Sequence, residues 1–362
     1  MHENHEGVSK IKRTFRKIQI VGGKTYSINL PKDWVVKMGL EKGNQLQIQE
    51  QTDGDLLIRP PLQHQSSPER SVEIVTSRSL SRDITRSYLL GYTKIIIKSR
   101  KAVGFTRDEL DEIDLARQKF PGAEIMREDK NEIVIEIIAS FEKNQPYKLI
   151  HSMFNLTQSM LHRIYLQFNP EHKLEQNNIK FNEEIERIRN TDKKINRKYF
   201  LIVRQLRALT QDSILRKRTG TNNLQIMDYR LIAHLLESIG DNSVRLCDHI
   251  LEFRPLLSEL IEKTYNRGQN RVLDSLIATA AKIAEFHRET FNAFIKNDAK
   301  RATELVQANF GFSQELNRQI ADIKADVKRS SLSIISYRYF DIYDMIIDIL
   351  DLIQPEEQLS QL

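Results

Sequence analysis

Two sets of residues in this 362-residue chain have types and spacings that could carry chemistry. The first is acidic. Glu237 and Asp241 stand four apart within Leu236-Glu237-Ser238-Ile239-Gly240-Asp241-Asn242, so on a helix both carboxylates project from one face. Paired carboxylates at that spacing supply oxygen ligands to a hard or borderline cation. The competing reading is a solvated face on which Asp241 pairs with Arg245, worth a few tenths of a kcal/mol. Gly240 sits in mid-helix at a cost of about 1 kcal/mol against alanine, which implies close backbone packing there. Asp341, Asp344, Asp348 and Asp351 recur at spacings of three and four, either as the polar side of an amphipathic helix or as part of a cation site. The second set is basic. Between Gly7 and Thr25 stand Lys10, Lys12, Arg13, Arg16, Lys17 and Lys24 with no acid among them. Folded onto one face, such a stretch is an electrostatic footprint for a phosphate backbone; unfolded, it is a solubilising tail.

Other chemistries find no support. The nine histidines are scattered without local partners, and no Ser-His-Asp or Cys-His arrangement is present. Gly23-Lys24-Thr25 resembles the end of a P-loop, but the motif needs a glycine where Ile18 stands. His2, Glu3 and His5 are too close together for a zincin motif. A metal-dependent phosphohydrolase built on Glu237 and Asp241 would lack a nucleophile or base, so the chain is not expected to be an enzyme. Cys247 is the single cysteine, which excludes an internal disulfide and suits a reducing cytoplasm. Neither a signal-peptide pattern at Met1–Glu6 nor a run approaching the roughly 18 to 20 apolar residues of a membrane span is present. The expectation is a soluble cytoplasmic protein without membrane insertion. Its formal net charge is +6, with 40% hydrophobic and 29% charged residues, enough apolar content for real cores.

The elements that must position these residues follow from local pattern. Phe15–Ile20 and Tyr26–Leu30 alternate as strands around Gly22-Gly23, and Pro31–Met38 reads as a short helix closed by Gly39. Gln45–Gln49 and Leu56–Ile58 flank Asp53-Gly54, a hairpin signal. So few residues of thin strand cannot bury a core alone, which makes dimerisation physically expected. Beyond a Pro60-Pro61 linker, strands at 72–75 and 94–98, helices at 80–90 and 106–120, and strands at 124–127 and 133–138 give a βαβαββ order. Thr106 with Glu109 is a capping-box pattern. From Pro146 apolar residues step at three and four, predicting helices near 146–168, 179–212, 223–254, 256–296, 299–327 and 331–353. Such a set forms two antiparallel three-helix bundles in tandem. The expected architecture is multidomain α+β: a β-rich domain over 1–62, a mixed α/β subdomain over 70–142, and an all-α body divided into bundles at 146–254 and 255–354.

Two stretches resemble known families. Arg16-Lys17-Ile18-Gln19, Gly22-Gly23, Ser27-Ile28-Asn29-Leu30-Pro31-Lys32-Asp33-Trp34 and Gly39-Leu40-Glu41-Lys42-Gly43-Asn44 resemble the AbrB/SpoVT-like swapped-hairpin DNA-binding domain. That resemblance implies an interlaced homodimeric barrel, with Arg13, Arg16, Lys17 and Lys24 facing DNA phosphates and Lys24, Thr25 and Ser27 available for base readout. Tyr199–Leu206, Leu236–Asn242 and Ala293–Asp298 resemble helices of the PhoU family of phosphate uptake regulators. In that family a Glu-x-x-x-Asp pair and an Asp-rich neighbouring helix can bind metal clusters. By resemblance Glu237, Asp241 and Asp192 are therefore the candidates for a divalent or iron-type metal ion in the first repeat. This chain has Asn196 where a second Asp is expected. In the second repeat Tyr339–Met345 replaces the usual motif, and Gln307–Phe310 supplies no carboxylate.

Together these features predict a homodimeric, DNA-binding transcriptional regulator of phosphate homeostasis whose helical body senses or relays phosphate status. The rival reading is an adaptor: the head only dimerises, and the body docks on a phosphate transporter ATPase or a sensor kinase.

Overall fold

The computed structural model describes residues 14–50, 54–60, 70–139, 145–168, 178–267, 270–326 and 330–353. The chain divides into two compact units, residues 1–68 and 69–362.

The first unit is made of two antiparallel hairpins and one short helix. β1 (Gln19–Val21) pairs with β2 (Thr25–Ser27), placing Ile20 opposite Tyr26. Gly22 and Gly23 make the turn with φ of +64° and +79°, values that a side chain would disfavour. Helix α1 (Lys32–Lys37) starts after Pro31, whose fixed φ suits a helix start, and is followed by Gly39 at φ +61°. β3 (Gln47–Glu50) pairs with β4 (Leu56–Arg59). The predicted turn keeps Gly54 at φ +84°, while Asp53 lies outside the described residues. The first two strands are shorter than the alternation of residues 15–20 and 26–30 suggests, because each ladder has a single partner and ends where that hairpin ends. None of the described residues of this unit is buried.

The second unit opens with β5 (Ser71–Val75), α2 (Leu80–Leu89), β6 (Lys94–Lys98), α3 (Arg107–Lys119), β7 (Ala123–Glu128) and β8 (Glu132–Ile137). The sheet order is β5-β6-β8-β7, with β5 and β6 parallel and the other pairs antiparallel. Ile74, Ile95, Ile97, Ile133 and Ile135 face Leu80, Ile84, Tyr88, Ile113 and Phe120 in one core. The capping box is formed as the sequence predicts: Thr106 N donates to Glu109 Oε2 at 2.8 Å, and Glu109 N donates to Thr106 Oγ1.

The helices that follow are α4 (Pro146–Phe168), α5 (Asn178–Gln211), α6 (Ser213–Thr219), α7 (Asn223–Glu252), α8 (Arg254–Arg267), α9 (Arg271–Lys296), α10 (Ala299–Asn309), α11 (Phe312–Ala325) and α12 (Ser333–Asp351). One group is α4, α5 and α7; the other is α9, α12 and the α10–α11 pair. The groups meet where α4 packs on α9 and α7 on α12, so a single hydrophobic core runs through both.

Three predicted helix boundaries differ. The stretch 256–296 is two helices, because Asn270 accepts from Val272 N and Leu273 N and so caps α9. The stretch 299–327 breaks at Phe310-Gly311. A separate turn, α6, is opened by Asp212, which accepts from Ile214 N and Leu215 N, and closed by Gly220 at φ +66°.

The α4–α9 seam holds a buried polar link. Gln158 Nε2 donates to the Ala284 carbonyl, which turns Gln158 Oε1 toward His287 Nδ1 at 2.8 Å. Nδ1 therefore carries the ring proton, and Nε2 accepts from the Thr157 hydroxyl at 2.9 Å. Burial pushes the His287 pKa down to about 3. Among the described residues no helix is long and apolar enough to cross a membrane.

Candidate functional site

The basic candidates gather at the start of the first unit. Arg16 and Lys17 are exposed on the segment leading into β1, Lys24 occupies the β1–β2 turn beside Gly23, and Thr25 opens β2. Ser27 is half-buried, its hydroxyl 3.5 Å from the Gln19 carbonyl. Arg13 lies outside the described residues. In the hairpin register Gln19, Val21, Thr25 and Ser27 share one face, while Ile20 and Tyr26 share the other. Ile20 and Tyr26 are 64% and 73% exposed, so the apolar face of the hairpin is as open to solvent as the polar one. A cleft of about 360 Å³ in the same unit is lined by residues that include Thr14, Leu30, Trp34, Leu56 and Ile58. Trp34 is half-buried.

The acidic candidates come together on α5 and α7. Gly240 has the reason the sequence implies: a Cβ there would sit 3.0 Å from Asp192 Oδ1 and 3.3 Å from Ile195 Cδ1. Asp192 Oδ2 accepts from Asn196 Nδ2 at 3.0 Å, whereas Asp192 Oδ1 is buried without a hydrogen-bond partner. Burial, then Asp241, then Glu237 raise the Asp192 pKa to about 6, against the Asn196 hydrogen bond. Glu237 is also raised, by burial and by Asp241, while Arg230, Arg245 and Lys119 oppose the shift. Asp241 pairs with Arg245 at 3.6 Å, and Glu237 lies 3.7 Å from His234 Nδ1.

The three carboxylates thus share one electrostatic neighbourhood. Among the described residues, however, no three His, Cys, Asp or Glu side chains are gathered closely enough to hold a metal ion. All three groups offer carboxylate oxygens, one of them orphaned, but as placed they do not form a ligand set, and Gly240 is there for close packing of α7 on α5. Asn196, which the sequence marks as a missing ligand, instead holds Asp192 in place.

The acidic stripe of α12 is different. Asp341 pairs with Arg338 at 3.1 Å. Asp344 is raised by burial and by its neighbours Asp348 and Asp341. Asn309 of the facing helix offers its carbonyl to the Tyr343 hydroxyl. Cys247 is fully buried, and burial pushes its thiol well above the usual range, which makes it inert.

Residues that the sequence did not single out bind the sheet subdomain to α5. Phe200 packs edge-on against Phe120, with ring centroids 5.3 Å apart. Arg204 Nη1 donates to the Tyr88 carbonyl at 2.5 Å near the C-terminus of α2, and its guanidinium lies 4.9 Å from the Tyr88 ring centroid. Arg197 donates to the Gln118 carbonyl, and Arg70 Nη1 to Gln211 Oε1 at 3.1 Å. Arg230 rests over the Tyr199 ring, and Lys119 over Phe200.

Comparison with known proteins bears on both units. Residues 150–250 match the family model of the PhoU domain, and residues 19–65 match that of the antidote-toxin recognition MazE, bacterial antitoxin family. No curated protein matches the chain. Among solved structures, the crystal structure of PhoU from Pseudomonas aeruginosa aligns at 14% identity and a TM-score of 0.37, over 59% of this chain and 97% of that one. The chain carries a PhoU domain in its helical body, preceded by a β-rich domain of the MazE/AbrB-like antitoxin type.

Proposed function

We propose that the protein is a cytoplasmic, homodimeric DNA-binding regulator of phosphate uptake, without catalytic turnover, whose PhoU-type body relays the state of a ligand to the head. The observation that carries this reading is the absence of any buried residue among those described in the first unit. Ile18, Ile20, Tyr26, Ile28 and Ile48 are each more than half exposed, and removing such side chains from water contributes about 1.5–3 kcal/mol apiece. A second copy of the head is the occupant that the MazE/AbrB-like match supports. Two heads joined by their apolar faces leave Arg16, Lys17 and Lys24 free to neutralise DNA phosphates, with Thr25 and Ser27 within reach of base edges.

A hard divalent or iron-type cation as effector would have to draw Asp192, Glu237 and Asp241 of the body together, since they are not gathered as a ligand set. Such an ion would supply positive charge to a group of carboxylates that burial and mutual repulsion leave poorly stabilised. An electrophoretic mobility shift with DNA from upstream of phosphate-transport genes, against a scrambled duplex, tests the central reading. Retardation of the first alone is expected; equal retardation of both would contradict it.

A second reading has its own supporting observation. Leu224, Met227 and Leu231 form an exposed apolar stripe along α7, the pattern of a helix that docks on a protein partner. In that reading the body contacts a phosphate transporter ATPase or a sensor kinase, and head variants leave the contact unchanged.

A further inference from the structure

The four-stranded sheet of the subdomain has two edges, and they are built differently. β7 forms one edge, where the register slips between Ile125 and Arg127 and the strand carries Glu124, Arg127 and Glu128. A bulge and charges of that kind keep an edge from pairing. β5 forms the other edge. Its parallel register with β6 runs from Ser71–Lys94 to Val75–Lys98 without a shift, and Ser71-Val72-Glu73-Ile74-Val75 contains neither proline nor lysine. Its one charge, Glu73, is held by Lys98 at 2.7 Å.

The direction of the β5 backbone groups follows from the two ends of the ladder. Lys94 N donates to the Arg70 carbonyl, and Thr76 N donates to the Lys98 carbonyl, so the even-numbered residues face β6. Successive residues of a strand point their N–H and C=O to alternate sides, which turns those of Ser71, Glu73 and Val75 outward. Among the described residues no hydrogen bond reaches these outward groups, and all three residues are exposed. A flat, unpaired edge of this kind is a template for one more strand.

We propose that the occupant of this edge is the β5 strand of a second copy, so that two four-stranded sheets join into one across a two-fold axis. The inference rests on the homodimer of the previous section. Two-fold symmetry makes the strands antiparallel and uses the same patch on both copies. A register that sets Glu73 opposite the partner's Val75 joins outward groups to outward groups and keeps the two Glu73 carboxylates from facing each other. Pairing of so short a strand is weak between separate molecules. Only residues 60–70 separate β4 from β5, about 40 Å at full extension, so paired heads hold the two edges at high effective concentration. Arg70, immediately before β5, also donates from Nη1 to Gln211 of α5. The joined sheet therefore ties the helical bodies of both copies to the point where the chains arrive from the heads.

The test uses the full chain and introduced cysteines, which report alone because Cys247 is the single cysteine and is buried. Val75→Cys, and Met126→Cys on the opposite edge as control, are treated with a bis-maleimide spanning about 8 Å, the diagonal distance between paired strands. Light scattering should give a dimer, and Val75→Cys alone should be captured as a covalent dimer. Adding Glu73→Pro, which removes an outward N–H that the ladder to β6 does not use, should lower capture to the level of the control. Amide exchange of the unsubstituted protein is the second readout: the Glu73 and Val75 amides should be protected as Ile74 is. A dimer in which Val75→Cys is not captured and these amides exchange freely would overturn the edge pairing and leave the head dimer standing. Protected amides without capture would assign the edge to the chain's own residues and overturn the pairing as well. A monomer by light scattering would overturn both readings.

Discussion

The head and the body solve the burial problem in opposite ways. The body buries Leu, Ile and Phe side chains from both helix groups in one continuous core, and its seams are fixed by specific polar links such as Thr157–His287–Gln158. The head fully buries none of its described apolar residues and exposes most of them, Phe15 at 94% and Tyr26 at 73% among them. Thin hairpins around a six-residue helix enclose no core by themselves, and in the proposed dimer their stability comes from association. The lesson is that exposed apolar residues mean different things beside a built core, as in the body, and where no core is built, as in the head.

That contrast can be broken most sharply in the head. Ile20→Asp or Tyr26→Asp puts a charge on the face that pairs across the hairpin. Either should convert a dimer to a monomer with an unfolded head, seen by light scattering and by loss of strand signal, and should abolish DNA retention. The same kind of substitution at exposed Leu224 should leave both unchanged.

In the body the largest single cost should come from Phe200→Ala, which removes a ring from the subdomain contact with α5. A loss of about 3 kcal/mol in urea unfolding is expected, with faster amide exchange across β7 and β8 while the helices keep their protection. A comparable effect should follow pH. The folded pKa of His287 is pushed down to about 3 by burial, below the ordinary value of about 6.5. Its contribution is complete above about pH 6.5 and is lost as pH falls toward 3, because unfolding then takes up a proton. Between pH 6.5 and 4.5 the wild type should lose about 2 kcal/mol more than His287→Gln does, since the slope grows to about 1.4 kcal/mol per pH unit only once the unfolded imidazole is fully protonated. Identical pH profiles would remove His287 from the account. The smallest effect belongs to the exposed Asp241–Arg245 pair: Arg245→Gln should change stability by less than about 1 kcal/mol.

Much of this architecture was legible in local pattern because local rules decide it. Thr106 and Glu109 announce α3, Gly22-Gly23 announces the first hairpin turn, and apolar steps of three and four place the long helices within a few residues. The breaks that were missed, at Asn270 and at Phe310-Gly311, fall inside amphipathic runs where a capping side chain looks like any other polar position. The site was half legible. Glu237, Asp241 and the need for Gly240 follow from spacing, and the resemblance supplied Asp192. Its orphaned oxygen and the hydrogen bond from Asn196 exist only once the side chains are packed. Arg204 was invisible for the same reason: its partner is a backbone carbonyl, which no side-chain pattern records.

The most direct test of the central claim is fluorescence anisotropy of DNA from upstream of phosphate-transport genes, against a scrambled duplex, across a salt series. Wild type and the Arg16→Ala/Lys17→Ala double variant would be run together. The account predicts tighter binding to the first duplex, a steep salt dependence, and a slope shallower by roughly 2 per head in the variant, each lost phosphate contact removing about 0.9. Binding no better than to the scrambled duplex, with a slope the variant does not alter, would contradict it and leave the protein-docking reading in its place.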